Sequence, residues 1–147
     1  MNRRKGLCTA GGFSLVELMI VIVVIGVLSA IAFPSYTKYA MRGKRSAAEN
    51  LVMEIASKEQ QYILDARQYT NEIGNSGLNI PSRDGWTCAT TCTNSYYTVS
   101  VAADNSATPP SFTITAAAQG SQAADGNISY GSTGAKSRIV GGVDQGW

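Results

Sequence analysis

The sequence predicts an α+β protein in which a long N-terminal helix packs against a small antiparallel sheet of three or four strands. Three observations predict it. Residues 18–33 form an uncharged, mostly apolar run, and apolar residues then recur at spacings of three and four over residues 47–66. Further along, residues 96–101, 112–116 and 127–130 alternate in polarity and are rich in strand-forming residues. A helix followed by short strands and turns favours one layer of each kind.

The N-terminal run has the length of a membrane span. Phe13 to Phe33 is 21 residues, which as a helix would measure about 31 Å, the thickness of a bilayer's hydrocarbon core. Basic residues flank the run on both sides, at 3–5 and again at 38–45. Charge alone therefore does not fix the orientation. We expect the N-terminus to be cytoplasmic, because the first segment and its flank usually dominate.

One carboxylate distinguishes this run from an ordinary secretory signal. The residues at 30–32, Ala-Ile-Ala, fit the A-x-A cleavage pattern, so simple secretion is an alternative. Glu17 argues against it, because a carboxylate at a membrane centre costs about 2.5–3.5 kcal/mol. The run is also longer than the 7–15 residues of a signal's apolar region. A carboxylate in such a helix needs a cationic partner, and the run contains none.

Gly26 and Pro34 interrupt the regularity of the first helical segment, and a simple proline kink is one interpretation. Beyond Pro34 the pattern predicts an amphipathic helix that ends near residues 64–68. Glu54 and Lys58 in it are spaced for an i,i+4 ion pair. The residues expected on its apolar face are Ala47, Ala48, Leu51, Val52, Ile55, Tyr62, Ile63 and Ala66.

The chain contains no histidine, which excludes Ser-His-Asp and Cys-His mechanisms and argues against a zinc site. We therefore expect no enzyme, no metal and no cofactor. Cys88 and Cys92 form a C-x₃-C pair behind a membrane-targeting segment, which predicts a disulfide in an oxidising compartment. Two free thiols are the alternative. Residues 69–95 are interpreted as the loop between helix and sheet, and residues 96–147 as the sheet.

Net charge gives weak support for nucleic-acid binding. The chain carries +2 overall, but residues 13–147 hold nine basic against ten acidic residues. After Lys58 the cations are Arg67, Arg83, Lys136 and Arg138, which would form a patch only if the fold brings them together. DNA is thus a possible partner without support at this stage. Trp86 and Trp147 are either interface anchors or partly buried residues.

The run Gly12-Phe13-Ser14-Leu15-Val16-Glu17, with its basic leader and Pro34 near the end of the apolar helix, resembles the class III signal of type IV pilins. The resemblance implies that a prepilin peptidase cleaves between Gly12 and Phe13, which makes residues 1–12 a leader, and that Phe13 is N-methylated. It gives Glu17 its missing cation, the Phe13 amine of a neighbouring subunit. Residues 13–34 would form the membrane and filament-core helix, which can loosen between Gly26 and Pro34, and residues 35–68 the helix of the globular domain.

Residues 42–48, 60–62, 69–70, 122–126 and 132–137 resemble the small PilE-type minor pilins. Many members of the family close a larger loop with their disulfide, and this chain has no cysteine after Cys92. The resemblance implies a structural subunit, first of all a minor pilin that contributes to pilus assembly, with motility, adhesion and DNA uptake as the alternatives for its role. A major pilin, a DNA-binding receptor at the pilus tip and a pseudopilin of type II secretion are the alternatives. The implied partners are other pilin subunits, the prepilin peptidase and methylase, and the inner-membrane assembly platform. The subunit would move from the inner membrane to an extracellular pilus.

Overall fold

A computed structural model describes residues 12–147, with Pro34 by its backbone alone, and the chain divides into two compact units, Met1–Tyr39 and Ala40–Trp147. The predicted basic leader therefore lies outside the described residues, except for Gly12. Helix α1 runs from Leu15 to Ala66. Its end confirms the predicted end near residues 64–68, and it continues without interruption through Gly26 and Pro34.

In the first unit the apolar side chains of α1 have no protein environment. Every large apolar residue from Phe13 to Phe33 is exposed, with Leu18 at 55% and Phe33 at 75%. By length and composition this helix is capable of crossing a membrane. A continuous apolar surface of this size is characteristic of a segment that is covered by lipid or by other protein chains.

The second unit contains an antiparallel sheet in which every strand pairs with its neighbours in sequence. A 3₁₀ helix, Gly120–Asp125, connects the fourth and fifth strands. The strands are β1 (Thr87–Cys88), β2 (Cys92–Thr93), β3 (Tyr97–Asp104), β4 (Ser111–Ala118), β5 (Asn127–Gly131), β6 (Lys136–Val140) and β7 (Val143–Asp144).

The sheet has seven strands, more than the three or four predicted. The three strands predicted from alternation correspond to β3, β4 and β5. Strands β1, β2 and β7 have two residues each, which is too short for a period of two to be recognised. The sheet consequently begins at Thr87, inside the segment predicted as a loop.

The core lies between α1 and the inward face of β3 and β4. Val52 and Ile55 of the helix are fully buried, as are Val99 of β3 and Ile114 of β4. Alternate residues of both strands share this burial, as expected for a sheet with one packed face. The predicted helix face was wrong at its ends, because Ala47 and Ala66 are exposed. The remaining members of the predicted set are buried or half-buried: Ala48, Leu51, Val52, Ile55, Tyr62 and Ile63.

The loop between α1 and β1 extends this core. Ile73, Ile80 and Trp86 are buried in it, so Trp86 is more buried than the partly buried residue considered from the sequence. Tyr69 packs edge-on against Phe112 of β4, with ring centroids 4.8 Å apart. The loop is therefore a packed part of the domain and not a free connection.

Candidate assembly helix and nucleic-acid surface

The three residues predicted for processing and assembly lie together at the start of the described chain. Gly12, Phe13 and Glu17 are all exposed. A carboxylate oxygen of Glu17, Oε2, accepts a hydrogen bond from the Ser14 amide at 3.3 Å. Among the described residues Glu17 has no ion pair, so its charge remains available to a group outside this chain.

The predicted disulfide is present and joins β1 to β2 between Cys88 and Cys92. Cys92 is fully buried. The hairpin that the bond closes also holds the preceding loop, because the Gly74 amide donates to the Ala89 carbonyl at 2.7 Å. The Thr90 hydroxyl donates to the Glu72 carboxylate at 3.0 Å. The disulfide thus shapes the surface formed by this hairpin and the loop before it.

Three of the arginines in the second unit are bound by carboxylates. Arg45 pairs with Asp125 at 2.6 Å and Arg138 approaches the same carboxylate at 3.6 Å. Arg83 pairs with Glu54. The i,i+4 pair expected between Glu54 and Lys58 does not form, because Glu54 binds this arginine of the following loop instead. Two of the four cations considered for a DNA patch, Arg83 and Arg138, are thereby committed to carboxylates or carbonyls of the domain itself.

Two of the cations that have no carboxylate partner in the described structure, both of them lysines, lie over aromatic rings. The Lys44 ammonium lies 3.9 Å from the ring centroid of Tyr96, and the Lys136 ammonium lies 4.6 Å from the ring of Trp147. Such contacts order the side chain without neutralising its charge. Within residues 40–147, the cations with no carboxylate partner are Arg42, Lys44, Lys58, Arg67 and Lys136.

The second tryptophan of the chain is placed by its polar and aromatic contacts. The Trp147 indole N–H donates to the Ser137 carbonyl at 2.9 Å, and its ring lies 6.1 Å from that of Tyr130. Both aromatic residues are half-buried, and Tyr130 belongs to the inner strand β5. Lys136, in register with Tyr130 across β5 and β6, completes this cluster.

A polar network that sequence reasoning missed is centred on Asp125. Besides the two arginines, its carboxylate accepts from the Gln122 amide at 3.0 Å and from the Tyr97 hydroxyl at 3.4 Å. Gln122 is fully buried and also donates to the Met41 carbonyl of α1 at 2.9 Å. Burial raises the pKa of Tyr97 to about 12, and the Asp125 charge adds to this shift. The network joins α1, the 3₁₀ helix and β6 through side chains about 80 residues apart.

Glu59 is a second polar residue that sequence reasoning missed. It is fully buried, and it lies on the apolar face of α1, four residues after Ile55. This helical spacing from a core residue was the feature of the sequence that could have indicated its burial. Burial raises its pKa to about 7, although a hydrogen bond from the Thr70 amide opposes the shift. Among the described residues, no group of three or more His, Cys, Asp or Glu side chains is arranged to hold a metal ion.

Two family models match the chain, in different parts of it. One is described as the prokaryotic N-terminal methylation motif and matches residues 9–33. The other is described as type IV minor pilin ComP, DNA uptake sequence receptor, and matches residues 34–129. The first match covers the apolar helix and the second covers most of the folded second unit.

Curated relatives are similar over shorter stretches. The type IV major pilin protein PilA of Myxococcus xanthus is 38% identical over 66 residues, which are 43% of this chain and 30% of that protein. A type IV major pilin protein PilE1 of Neisseria gonorrhoeae is 36% identical over 50% of this chain and 44% of its own length. The fimbrial protein EcpC of Eikenella corrodens is 39% identical over 46% of this chain and 44% of its own. The chain thus spans less than half the length of these relatives. No solved structure matches it.

Proposed function

This chain belongs to the family of the type IV minor pilin ComP, the DNA uptake sequence receptor, and from that premise we propose that it is a pilus subunit that binds DNA during uptake. As a member of this family it is a type IV pilin structural subunit, and pilins assemble with one another into pili. The observation that carries the proposal is where the family match lies. It covers residues 34–129, so it rests on the globular unit and not on the apolar helix that all type IV pilins share.

For assembly, the proposal assigns each residue at the start of the helix a role. Prepilin peptidase cuts between Gly12 and Phe13, and the new Phe13 amine is methylated. Glu17 then pairs with that amine on a neighbouring subunit. The match to the methylation motif and the exposed, cation-free carboxylate of Glu17 support this assignment. The helix loosens between Gly26 and Pro34 as the subunit leaves the bilayer, where its N-terminus faces the cytoplasm, by way of the inner-membrane assembly platform.

The assembly role of Glu17 is tested by incorporation into pili. In cells that express E17Q, we expect normal membrane levels of the subunit and a strong decrease of the subunit in sheared pili, since the neutral amide loses the charge pairing. The matched control is D84N, which removes an exposed carboxylate from a turn of the globular unit. Normal incorporation of E17Q would contradict the role of Glu17 without affecting the proposal for DNA.

For DNA, we assign phosphate contacts to Lys44 and Lys136. Both retain a full positive charge, and the rings of Tyr96 and Trp147 restrict their side chains. A restricted lysine loses less conformational entropy on binding than one that is free in solvent. The pilin family is structural, and we assign this chain no catalytic step and no cofactor.

The DNA proposal is tested by the salt dependence of binding. Full-length protein in detergent micelles is titrated against a fluorescent duplex over a series of salt concentrations. Each phosphate contact contributes about 0.9 to the slope of log K against log salt, so we expect K44Q and K136Q each to lower the slope by about that amount. K58Q removes the same charge from a lysine with no aromatic contact and serves as the control. Absence of binding at low salt would remove the receptor function.

A role as the major pilin is the second candidate, because the relatives described above are major pilins and fimbrial proteins. Mass spectrometry of sheared pili separates the two. A minor pilin is present in few copies beside a more abundant subunit, whereas a major pilin makes up most of the filament. The same spectra report whether the mature N-terminus is methylated Phe13.

A further inference from the structure

Glu59 has an environment that is unusual for a carboxyl group. Its side chain is 0% exposed. One oxygen, Oε2, accepts a hydrogen bond from the Thr70 amide at 3.2 Å. The other, Oε1, is buried without a hydrogen-bond partner. In the part of the chain that the structure describes, no cation pairs with this carboxyl.

The hydrogen bond from Thr70 is one of several ties that fix the segment Tyr69–Glu72 after α1. The Tyr69 amide donates to the Asn105 side-chain carbonyl at 2.8 Å, and the Asn105 amide donates back to the Tyr69 carbonyl at 3.0 Å. The Asn71 side chain accepts from the Ala103 amide at 2.7 Å. These two ties are made by neutral amides and do not change with pH. Of the ties made by Tyr69, Thr70 and Asn71, the one to Glu59 carries a titratable group; at the end of the segment the Glu72 carboxylate also accepts from the Thr90 hydroxyl.

We propose that Glu59 is a proton-controlled latch: its protonated carboxyl keeps the segment Tyr69–Glu72 closed on α1, and its ionised carboxylate favours opening of that segment. A buried carboxylate with one unpartnered oxygen and no cation is destabilised relative to a hydrated one. Opening of the segment would admit water to Glu59, so ionisation lowers the free energy of the open state more than that of the closed state. This inference does not depend on the proposed binding of DNA.

Other titratable groups around the latch do not supply the missing charge. They belong to α1, to the loop after it, and to β3 of the hairpin on which Tyr69 packs; β4 carries none. The Glu72 carboxylate is occupied by the Thr90 and Ser76 hydroxyls, and the Asp104 carboxylate by Ser106. None of these groups forms a hydrogen bond or ion pair with Glu59 in the described structure. They are Lys58, Tyr62, Asp65, Arg67, Tyr69, Glu72, Tyr97 and Asp104.

The direction and pH range of the effect follow from the raised pKa of Glu59. The pKa of Glu59 is raised from 4.5 to about 7 in the closed state, mainly by burial and against the opposing effect of the Thr70 hydrogen bond. In the open state the hydrated carboxyl regains its ordinary pKa. The closed state is therefore favoured most below pH 4.5, and this advantage is lost as the pH rises to about 7. Between pH 4.5 and 7 the equilibrium constant for opening increases by about 80-fold, and the total increase from acid pH to well above pH 7 is about 300-fold.

Hydrogen exchange at the Thr70 amide measures the latch directly. In full-length protein in detergent micelles, we expect the protection factor of this amide, corrected for intrinsic exchange, to fall by about 80-fold between pH 4.5 and 7 and to level above about pH 8. In E59Q, which has the same shape and no charge, protection should not change with pH. The control D65N removes an exposed carboxylate from the same helix, and it should behave as the wild type.

Carbon-detected NMR titration of the Glu59 carboxyl provides a second readout that needs no variant. A carboxyl that titrates near 7, together with pH-dependent protection of Thr70, supports the latch. A carboxyl that titrates near 4.5 would overturn it. So would wild-type protection that is constant with pH, or protection that falls equally in E59Q. If E59Q does not fold, the two wild-type measurements still decide the question.

Discussion

The Asp125 carboxylate gives the sharpest prediction for stability, because it pairs with two arginines, of which Arg45 has a second carboxylate partner, Glu49, at 3.4 Å. The side chains of Asp125, Arg45 and Arg138 are 11%, 19% and 18% exposed. Removal of one partner from a fully buried ion pair costs about 3–5 kcal/mol, because the other charge is left without compensation. These groups retain some contact with water, so we expect D125N to lower the free energy of unfolding by about 3 kcal/mol. The asparagine keeps the size of the side chain and removes its charge.

Urea unfolding followed by tryptophan fluorescence measures this change, since Trp86 is buried in the same unit. The control D65N removes an exposed carboxylate of α1 that forms no ion pair in the described structure, and we expect it to alter the free energy of unfolding by no more than about 0.5 kcal/mol. R45Q should cost less in the D125N background than in the wild type, because one of the two carboxylate partners of Arg45 is already absent. A cost for D125N below about 1 kcal/mol, or full additivity of the two changes, would refute the reasoning.

Three further predictions concern single positions. Y97F should flatten the loss of stability above pH 10. The buried hydroxyl, with a pKa of about 12, stays protonated while the unfolded chain ionises, so the wild type loses about 2 kcal/mol between pH 10 and 12. Unfolding curves of the two proteins that coincide at both pH 8 and pH 12 would contradict this. G77A should unfold or nearly unfold the domain in thermal melts, because the added Cβ would clash with a backbone carbonyl of the same loop. G85A should cost only about 1 kcal/mol, because Gly85 has a positive φ but open space where the Cβ would lie. Equal melting temperatures of the two variants would contradict this difference. Replacement of Cys88 and Cys92 by serine should lower the free energy of unfolding in urea by about 2 kcal/mol, because a five-residue loop restrains the unfolded chain little. A loss above about 4 kcal/mol would contradict this explanation.

The elements that could be predicted from the sequence are those with a local signal. The end of α1 and the strands β3, β4 and β5 follow from periodicity, which depends on residues only a few positions apart. The Cys88–Cys92 bond is also local, and its prediction was confirmed. The signal at Gly12 and Phe13 is a short motif, and the match at residues 9–33 covers it.

The parts that could not be predicted depend on distant partners. Arg45 and Asp125 are 80 residues apart in sequence, and no pattern within either segment indicates that they meet. Glu54 has a lysine at the favourable helical spacing, yet it pairs with Arg83, 29 residues away. A pair between exposed residues of one helix is worth only about 0.2–0.5 kcal/mol, so tertiary packing readily replaces it.

Glu59 was missed for a different reason. A charged residue between apolar positions of a helix is usually assigned to the solvent side, since Glu is rarely buried without a partner. Its register with Ile55 was visible in the sequence. What the sequence did not show is that the following loop folds over this position and supplies one amide, from Thr70, but no cation. The structure therefore shows that the loop covers Glu59, and this burial raises the pKa of its carboxyl group.

The two outermost strands of the sheet, β1 and β7, have two residues each. A long unpaired edge would present a row of free amides and carbonyls that could pair with the sheet of another molecule. Pilins polymerise, and their subunits are brought together at high local concentration. Short edges leave little backbone for sheet-to-sheet growth, so β-aggregation cannot compete effectively with ordered assembly. The short outer strands thus disfavour β-aggregation in a protein whose family assembles into filaments.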